Sequence, residues 1–282
     1  MILVNPPALP VVLACSGNDP SGGAGICADI TTISSLGCHP APVITALTVQ
    51  DTHNVRALLP VESKQLLDQA TAILEDMTVA VFKIGVIGSV ENAVALHRLL
   101  RAHPTVPVVL DPVLAAGGGT ELASATLLDA IRTLLLPLIT ILTPNSVEAR
   151  RLAPEGDSLN ACAMALLERG CQYVLITGGH EPTETITNSL YGNHRLLESF
   201  HWPRLPNSYH GSGCTLAAAI AALLAQGYTS HSGPPISAIV RAQDYTWRTL
   251  EAAYRVGGGQ WIPNRLFWAN PSQEPEGFNP RP

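Results

Sequence analysis

The residues most suggestive of chemistry lie late in the chain. His210-Gly211-Ser212-Gly213-Cys214-Thr215 runs directly into an alanine-rich stretch that begins at Leu216. Small residues ahead of a helix leave several backbone N–H groups uncovered at its positive end. That arrangement is an anion hole, fit for a transferring phosphate or a tetrahedral oxyanion. Cys214 falls in the first turn, where the helix dipole is expected to lower a thiol's pKa. A second run of small residues, Gly17-Asn18-Asp19-Pro20-Ser21-Gly22-Gly23-Ala24-Gly25, lets a backbone come close to a ligand. It is not a P-loop, because no Gly-Lys-Ser/Thr follows, and it does not match G-x-G-x-x-G. Asp111-Pro112-Val113 offers a carboxylate suited to magnesium, directly or through water. Asn145 and Glu148, three apart, suit either a helix capping box or a magnesium and phosphate site, and spacing does not choose between them. Thr177-Gly178-Gly179-His180 is a further turn of small residues, and Lys83, beside Gly85 and Gly88, is one of two lysines, with Lys64.

Rival chemistries fit less well. A serine-hydrolase elbow requires G-x-S-x-G, and His210 stands two residues before Ser212. Cys214 as a nucleophile with His210 as its base is a second reading. It leaves Asp111, Asn145 and Glu148 without a part. A third reading makes Cys214 a small buried side chain and nothing more.

These motifs need a scaffold, and the composition supplies one. Hydrophobic residues make up 46% of the 282 and charged residues 13%, enough for a large core and too apolar for a disordered chain. The net charge of −6 gives no basic face for nucleic acid. Length alone suggests roughly two domains, but no linker interrupts the pattern. One domain over 1–268 is expected, with a flexible tail at 269–282 rich in Pro, Glu and Asn. Cysteines 15, 27, 38, 162, 171 and 214 show neither C-x-x-C nor zinc-ligand spacing, which suits free thiols in a reducing cytoplasm. Val12–Cys15 faintly resembles a lipoprotein box but lacks a preceding basic region, and no run is apolar enough to span a membrane, so neither export nor insertion is expected.

Short apolar runs alternate with amphipathic ones. Strands are expected at 11–15, 41–47, 79–84, 106–110, 139–142 and 173–176, and a hairpin over 189–200 turning at Gly192-Asn193. Helices are expected up to residue 36 and over 63–77, 90–101, 122–136, 146–152, 159–169, 214–225 and 236–254. This order predicts an α/β fold with a mostly parallel sheet covered on both faces. In such sheets ligands bind beyond the carboxyl ends of the strands, which is where the motifs fall.

Taken together, Asn18–Asp29, Val43–Gln50, Lys83–Ser89, Leu110–Val113, Thr143–Ala149, Gly178–His180 and His210–Leu216 resemble, in this order, the hydroxymethylpyrimidine/phosphomethylpyrimidine kinases of thiamine biosynthesis, in the ribokinase-like superfamily. The likeness covers roughly residues 11–255, and the pairing of DPSGGAG with GSGCT is its most specific part. It implies a three-layer α/β/α fold with a sheet of about eight strands, a small β lid and a cytoplasmic homodimer. The implied reaction is ATP-dependent phosphorylation of 4-amino-5-hydroxymethyl-2-methylpyrimidine and then of its monophosphate. Pyridoxal kinase and a non-catalytic pyrimidine-binding protein are the alternatives. By motif position Gly17, Asp19, Ala24, Gln50 and Val113 would meet the pyrimidine. The Gln50 amide suits this, since it both donates and accepts. Gly211, Ser212 and Gly213 would form the anion hole and Cys214 the base; Asp111 and Glu148 would serve Mg2+, and Asn145, Thr177, Gly178 and Gly179 would serve ATP. Gly117 and Thr177 stand where many members carry lysines, which predicts a slower second phosphorylation.

Overall fold

The computed structural model describes residues 9–227 and 234–269. Its organisation follows from alternation within the strands. In β1 (Val11–Asn18), Leu13 and Cys15 enter one core while Val12 and Ala14 enter the other. β4 (Val79–Ile84) divides Phe82 from Val81 in the same way, and β5 (Val108–Leu110) divides Val108 and Leu110 from Val109. Apolar residues on both faces of a strand demand cover on both faces. One cover is α2 (Ser63–Asp76), α3 (Val90–Ala102), α4 (Ala125–Ala130), α5 (Ser146–Leu152) and α6 (Leu159–Glu168). The other is α1 (Gly25–Ser35), α7 (Ser212–Ala225) and α8 (Ile236–Glu251). The alanines of α7 are buried at its centre, where only small side chains let a helix lie close to the sheet.

The remaining strands are β2 (His39–Gln50), β3 (Val55–Pro60), β6 (Ile141–Leu142), β7 (Tyr173–Ile176), β8 (Thr185–Gly192) and β9 (Arg195–Pro203). All nine form one sheet in the order β3-β2-β1-β4-β5-β6-β7-β8-β9. Neighbours from β2 to β7 run parallel, and β3, β8 and β9 each run antiparallel to the strand before. The strand order reverses between β1 and β4. That is the topological switch point, where a crevice opens at the carboxyl ends.

Three local differences from the sequence reading have simple causes. β3 was not anticipated, so the sheet has nine strands rather than about eight. The polar turn Asp51–Asn54 makes it: Asp51 Oδ1 accepts from the N–H groups of His53 (2.8 Å) and Asn54 (3.1 Å) and folds the chain back on β2. This β2–β3 ribbon is continuous with the main sheet. The second hairpin turns at Asn193 and His194, both left-handed with φ 50° and 54°, one residue later than expected. The helix expected from Leu122 starts at Ala125, because Ser124 Oγ caps the Leu127 N–H at 3.1 Å. The tail anticipated at 269–282 lies outside the described residues, except Ala269 in a closing turn of 3₁₀ helix.

Under the switch point lies a buried charge pair. Lys83 Nζ is 2.8 Å from the Asp29 carboxylate and 3.0 Å from Ser16 Oγ, and Ser16 Oγ donates to Asp29 at 2.6 Å. Burial works against the lysine's charge, but Asp29, together with Cys214 and Asp111, outweighs it and holds the pKa above the ordinary value. Gly85 has to be small here, since a Cβ would sit 2.5 Å from Ser16 Oγ. Removing one member of a buried pair strands the other without solvation. Asp29→Ala should therefore cost about 3–5 kcal/mol in urea unfolding. A loss below about 1 kcal/mol would show that water already reaches the pair.

Candidate active site

Asp19 organises the loop after β1. Its Oδ1 accepts from the Ser21 N–H at 2.9 Å, and its Oδ2 from Ser21 Oγ at 2.9 Å and the Ala24 N–H at 2.8 Å. The same Oδ2 lies 2.8 Å from His210 Nε2. Burial would raise this carboxyl, but the hydrogen bonds from His210 and Ser21 prevail and hold it below the usual carboxylate range. The loop thus docks on the start of α7. Gly211 caps that helix at φ 77°, and a Cβ there would lie 2.1 Å from the Gly23 carbonyl oxygen. Only glycine permits both the conformation and the approach. Arg265, buried, clamps the junction: Nε donates to Thr215 Oγ1 at 3.0 Å and Nη2 to the Gly23 carbonyl at 2.5 Å.

Across the crevice stand the carboxylates. Asp111 directly follows β5 and Glu148 lies in the first turn of α5; both are buried. The capping box is real: Asn145 Oδ1 accepts from the Val147 and Glu148 N–H groups at 2.9 Å, and Glu148 Oε2 accepts from the Asn145 N–H at 2.9 Å. Glu148 Oε1 also accepts from the Leu114 N–H at 3.1 Å. Capping and ligation remain compatible, because each carboxylate oxygen has a second lone pair. Burial raises both carboxyl pKa values, and the Asp111 charge pushes Glu148 further. Two desolvated acids that repel one another would be relieved by a divalent cation, so the donor set fits magnesium, which needs few protein ligands. Among the described residues no three His, Cys, Asp or Glu side chains converge as a metal cluster. Val113, two residues beyond Asp111, is left-handed at φ 30°, a costly conformation for a β-branched residue and one found mainly at functional sites.

Cys214 corrects an expectation. The helix start was expected to lower its pKa; instead burial pushes the thiol up to about 12, the Asp111 charge adds to the rise and Lys83 opposes it. The side chain is a neutral thiol hydrogen-bonded to Asp111.

A cavity of about 800 Å³ joins these groups. Gly17, Asp19, Ala24, Gln50, Asp111, Val113, Asn145, Glu148, Thr177, Gly179, Gly211, Ser212, Gly213 and Cys214 all border it. Gly178 does not: its N–H donates to Asn188 Oδ1 at 3.0 Å and its backbone packs on β8. Sequence reasoning missed one wall. There Asn188 Nδ2 and Trp202 Nε1 donate to Gln243 Oε1 at 2.8 and 3.0 Å, and Trp202 stacks on Trp247. Two tryptophans among the four of the chain were the available signal. Two cations were missed as well. Arg151 borders the cavity while paired with Glu121 at 2.7 Å, and Arg204 holds the loop after β7 through the carbonyls of Gly179, Glu181 and Thr183.

The profile of the phosphomethylpyrimidine kinase family matches residues 19–264. The chain belongs to that family. A hydroxymethylpyrimidine/phosphomethylpyrimidine kinase of Mycobacterium tuberculosis is 37% identical over 272 residues, covering 93% of this chain and 96% of the relative. The thiamine biosynthesis bifunctional protein ThiED of Geobacter sulfurreducens is 35% identical over 92% of the chain, which spans 52% of that longer protein. Among solved structures, a phosphomethylpyrimidine kinase from Clostridium difficile superposes with TM-score 0.73 at 29% identity, covering 86% of this chain and 99% of that one. Staphylococcus aureus pyridoxal kinase in complex with pyridoxal shares the fold, with TM-score 0.82 at 24% identity over 93% and 95% of the two chains. This kinase-family chain is therefore α/β with the ribokinase-like arrangement.

The neutral thiol has a direct consequence. At pH 8 a thiol of pKa about 12 is ~10⁻⁴ ionised, so Cys214 of the free protein should resist iodoacetamide. Labelling mapped by mass spectrometry should fall first on Cys27, the least buried cysteine. Rapid modification of Cys214 at that pH would show that the helix dipole prevails over burial.

Proposed function

We propose that this protein transfers the γ-phosphoryl group of ATP to the hydroxymethyl group of 4-amino-5-hydroxymethyl-2-methylpyrimidine, and then phosphorylates the monophosphate, in thiamine biosynthesis. The observation that carries the reading is the single cavity in which the 211–214 turn faces Asp111 and Glu148, with Gln50 on the same wall. A loose phosphoryl transition state asks mainly for positioning and charge stabilisation. The N–H groups of Gly211, Ser212, Gly213 and Cys214 supply that stabilisation. Asp111 and Glu148 would hold Mg2+, which neutralises phosphate charge when bound. Gly17, Asp19, Ala24, Gln50 and Val113 frame the ring, and Asn145, Thr177 and Gly179 lie along the nucleotide.

As a thiolate, its own proton given up to solvent, Cys214 would receive the hydroxyl proton late in the transfer. Burial, and after it the Asp111 charge, keep the thiol of the free protein neutral, while Lys83 pulls the other way. A bound cation that compensates the Asp111 charge removes the second of these causes and shifts the thiol toward ionisation. The base is therefore more readily formed in the loaded site than in the free one.

Leu47, Val49 and Leu59 lie exposed on the β2–β3 ribbon, which supports a homodimer through this edge. All six cysteines are unpaired, which supports a reducing cytoplasm. No helix among the described residues is long and apolar enough to cross a membrane.

The test is incubation with ATP and Mg2+ and, separately, the free pyrimidine, its monophosphate and pyridoxal, read by mass spectrometry. Phosphorylated pyrimidine is the expected product. Turnover of pyridoxal alone would make this a vitamin B6 kinase, and no ATP consumption with any of them would leave a binding protein. Gln50→Ala should weaken pyrimidine binding by about 1–3 kcal/mol and leave the KM for ATP in place; an unchanged pyrimidine KM removes Gln50 from the pocket. Cys214→Ala should lower kcat about 10²–10⁴-fold, and Cys214→Asp less. Near wild-type turnover in Cys214→Ala would make the thiol a wall of the pocket. Thr177→Lys should raise kcat/KM for the monophosphate more than for the alcohol; equal wild-type rates for both substrates would show that Arg151, Arg204 or the metal already supplies the charge.

A further inference from the structure

His210 Nε2 has two polar neighbours. Asp19 Oδ2 lies at 2.8 Å and Gln50 Nε2 at 3.0 Å. One ring nitrogen cannot donate to the first and accept from the second. The carboxylate decides, because Asp19 also accepts from Ser21 Oγ and from the Ser21 and Ala24 N–H groups, an environment that keeps it ionised. A lone pair aimed at that anion would be repelled, so Nε2 carries the proton in the neutral and in the charged imidazole alike. Two N–H donors then meet at Gln50. The stable arrangement turns the amide by 180°, so that Oε1 shares the His210 N–H with Asp19 in a three-centre bond and no donor faces a donor.

The other end of the amide agrees. Thr48 Oγ1 donates to the Asn18 carbonyl at 2.8 Å and stands 3.1 Å from the Gln50 amide. Its one proton is committed to Asn18, so toward Gln50 it acts as an acceptor. With the amide turned, Gln50 Nε2 donates to Thr48, and along the chain from Asp19 to Asn18 every donor faces an acceptor. One carbonyl lone pair and one N–H of Gln50 are left for the cavity.

We infer that His210 is a positioning residue which, with Thr48, fixes the sense of the Gln50 amide and thereby selects a 4-aminopyrimidine over its 4-oxo counterpart. This rests on the reading that Gln50 meets the ring. An aminopyrimidine edge offers an amino donor beside a ring-nitrogen acceptor, which complements the fixed amide. The oxo ring in its N–H form offers the reverse. To bind it, Gln50 would have to point Nε2 at the His210 N–H and Oε1 at a hydroxyl already donating elsewhere. Sites that fix buried hydrogen-bonding groups reject a mismatched edge strongly.

The experiment measures kcat/KM for the 4-amino alcohol and for the 4-oxo alcohol in the wild type, His210→Phe and Thr48→Val. The wild type should favour the amino ring by about 10²-fold or more. His210→Phe, which keeps an aromatic ring and removes the donor, should narrow that ratio about tenfold or more, and Thr48→Val should narrow it less. A general loss of activity from disturbed packing would lower both rates and leave the ratio unmoved. Should His210→Phe fail to fold, Thr48→Val carries the comparison alone. An unmoved ratio in the folded variants, with Gln50→Ala still raising the pyrimidine KM, overturns the role of His210. An unchanged pyrimidine KM in Gln50→Ala overturns the ring pocket on which the inference stands.

Discussion

The contact between Asp19 and His210 joins positions 191 residues apart, and the site depends on it. One carboxylate closes the loop after β1 on itself and holds that loop against the start of α7. Without this contact the two runs of small residues would be separate loops on separate elements. With it they form one wall, and the bare backbone of Gly211 packs so close that a Cβ there would lie 2.1 Å from the Gly23 carbonyl oxygen. Arg265 backs the same junction from behind, so a residue near the end of the described chain helps to shape the loop after β1.

Charge is layered beneath this junction. Lys83 and Asp29 are fully buried as a pair, and Asp111, Glu148 and Cys214 sit nearer the cavity. Burial alone would neutralise most of these groups. Paired carboxylates with raised pKa values and a thiol held neutral describe a site tuned for the arrival of cationic charge. An isolated hydrolytic nucleophile would need the opposite tuning, a thiol pKa brought down rather than up. The cysteine-hydrolase reading also gives the buried Asp111 and Glu148 pair no part.

Much of this was legible in the sequence, and the limits are instructive. The strands of the parallel sheet stand out because burial on both faces makes them evenly apolar, as in Val79–Ile84. The loops that follow them carry the chemistry, so motif order located Asp111, Asn145 and the turn at Gly211. β3 was hidden because Val55–Pro60 is an edge strand, largely exposed, whose pairing depends on an Asx turn rather than on hydrophobic pattern. The pKa of Cys214 was misjudged because position in a helix is local information, while desolvation and the Asp111 charge depend on the assembled core. Arg265, His210 and Gln243 were undervalued for the same reason: each acts through partners distant in sequence.

On the proposed function, a ring alcohol and a triphosphate meet within this cavity at the start of α7. The most direct measurement is a crystal structure with 4-amino-5-hydroxymethyl-2-methylpyrimidine and a non-hydrolysable ATP analogue bound together. The account requires the ring against Gln50 and Val113, the hydroxymethyl oxygen within hydrogen-bonding reach of Cys214 Sγ, and the γ-phosphate on the N–H groups of residues 211–214. A ring bound away from Gln50, or a γ-phosphate seated elsewhere than on that turn, would contradict it.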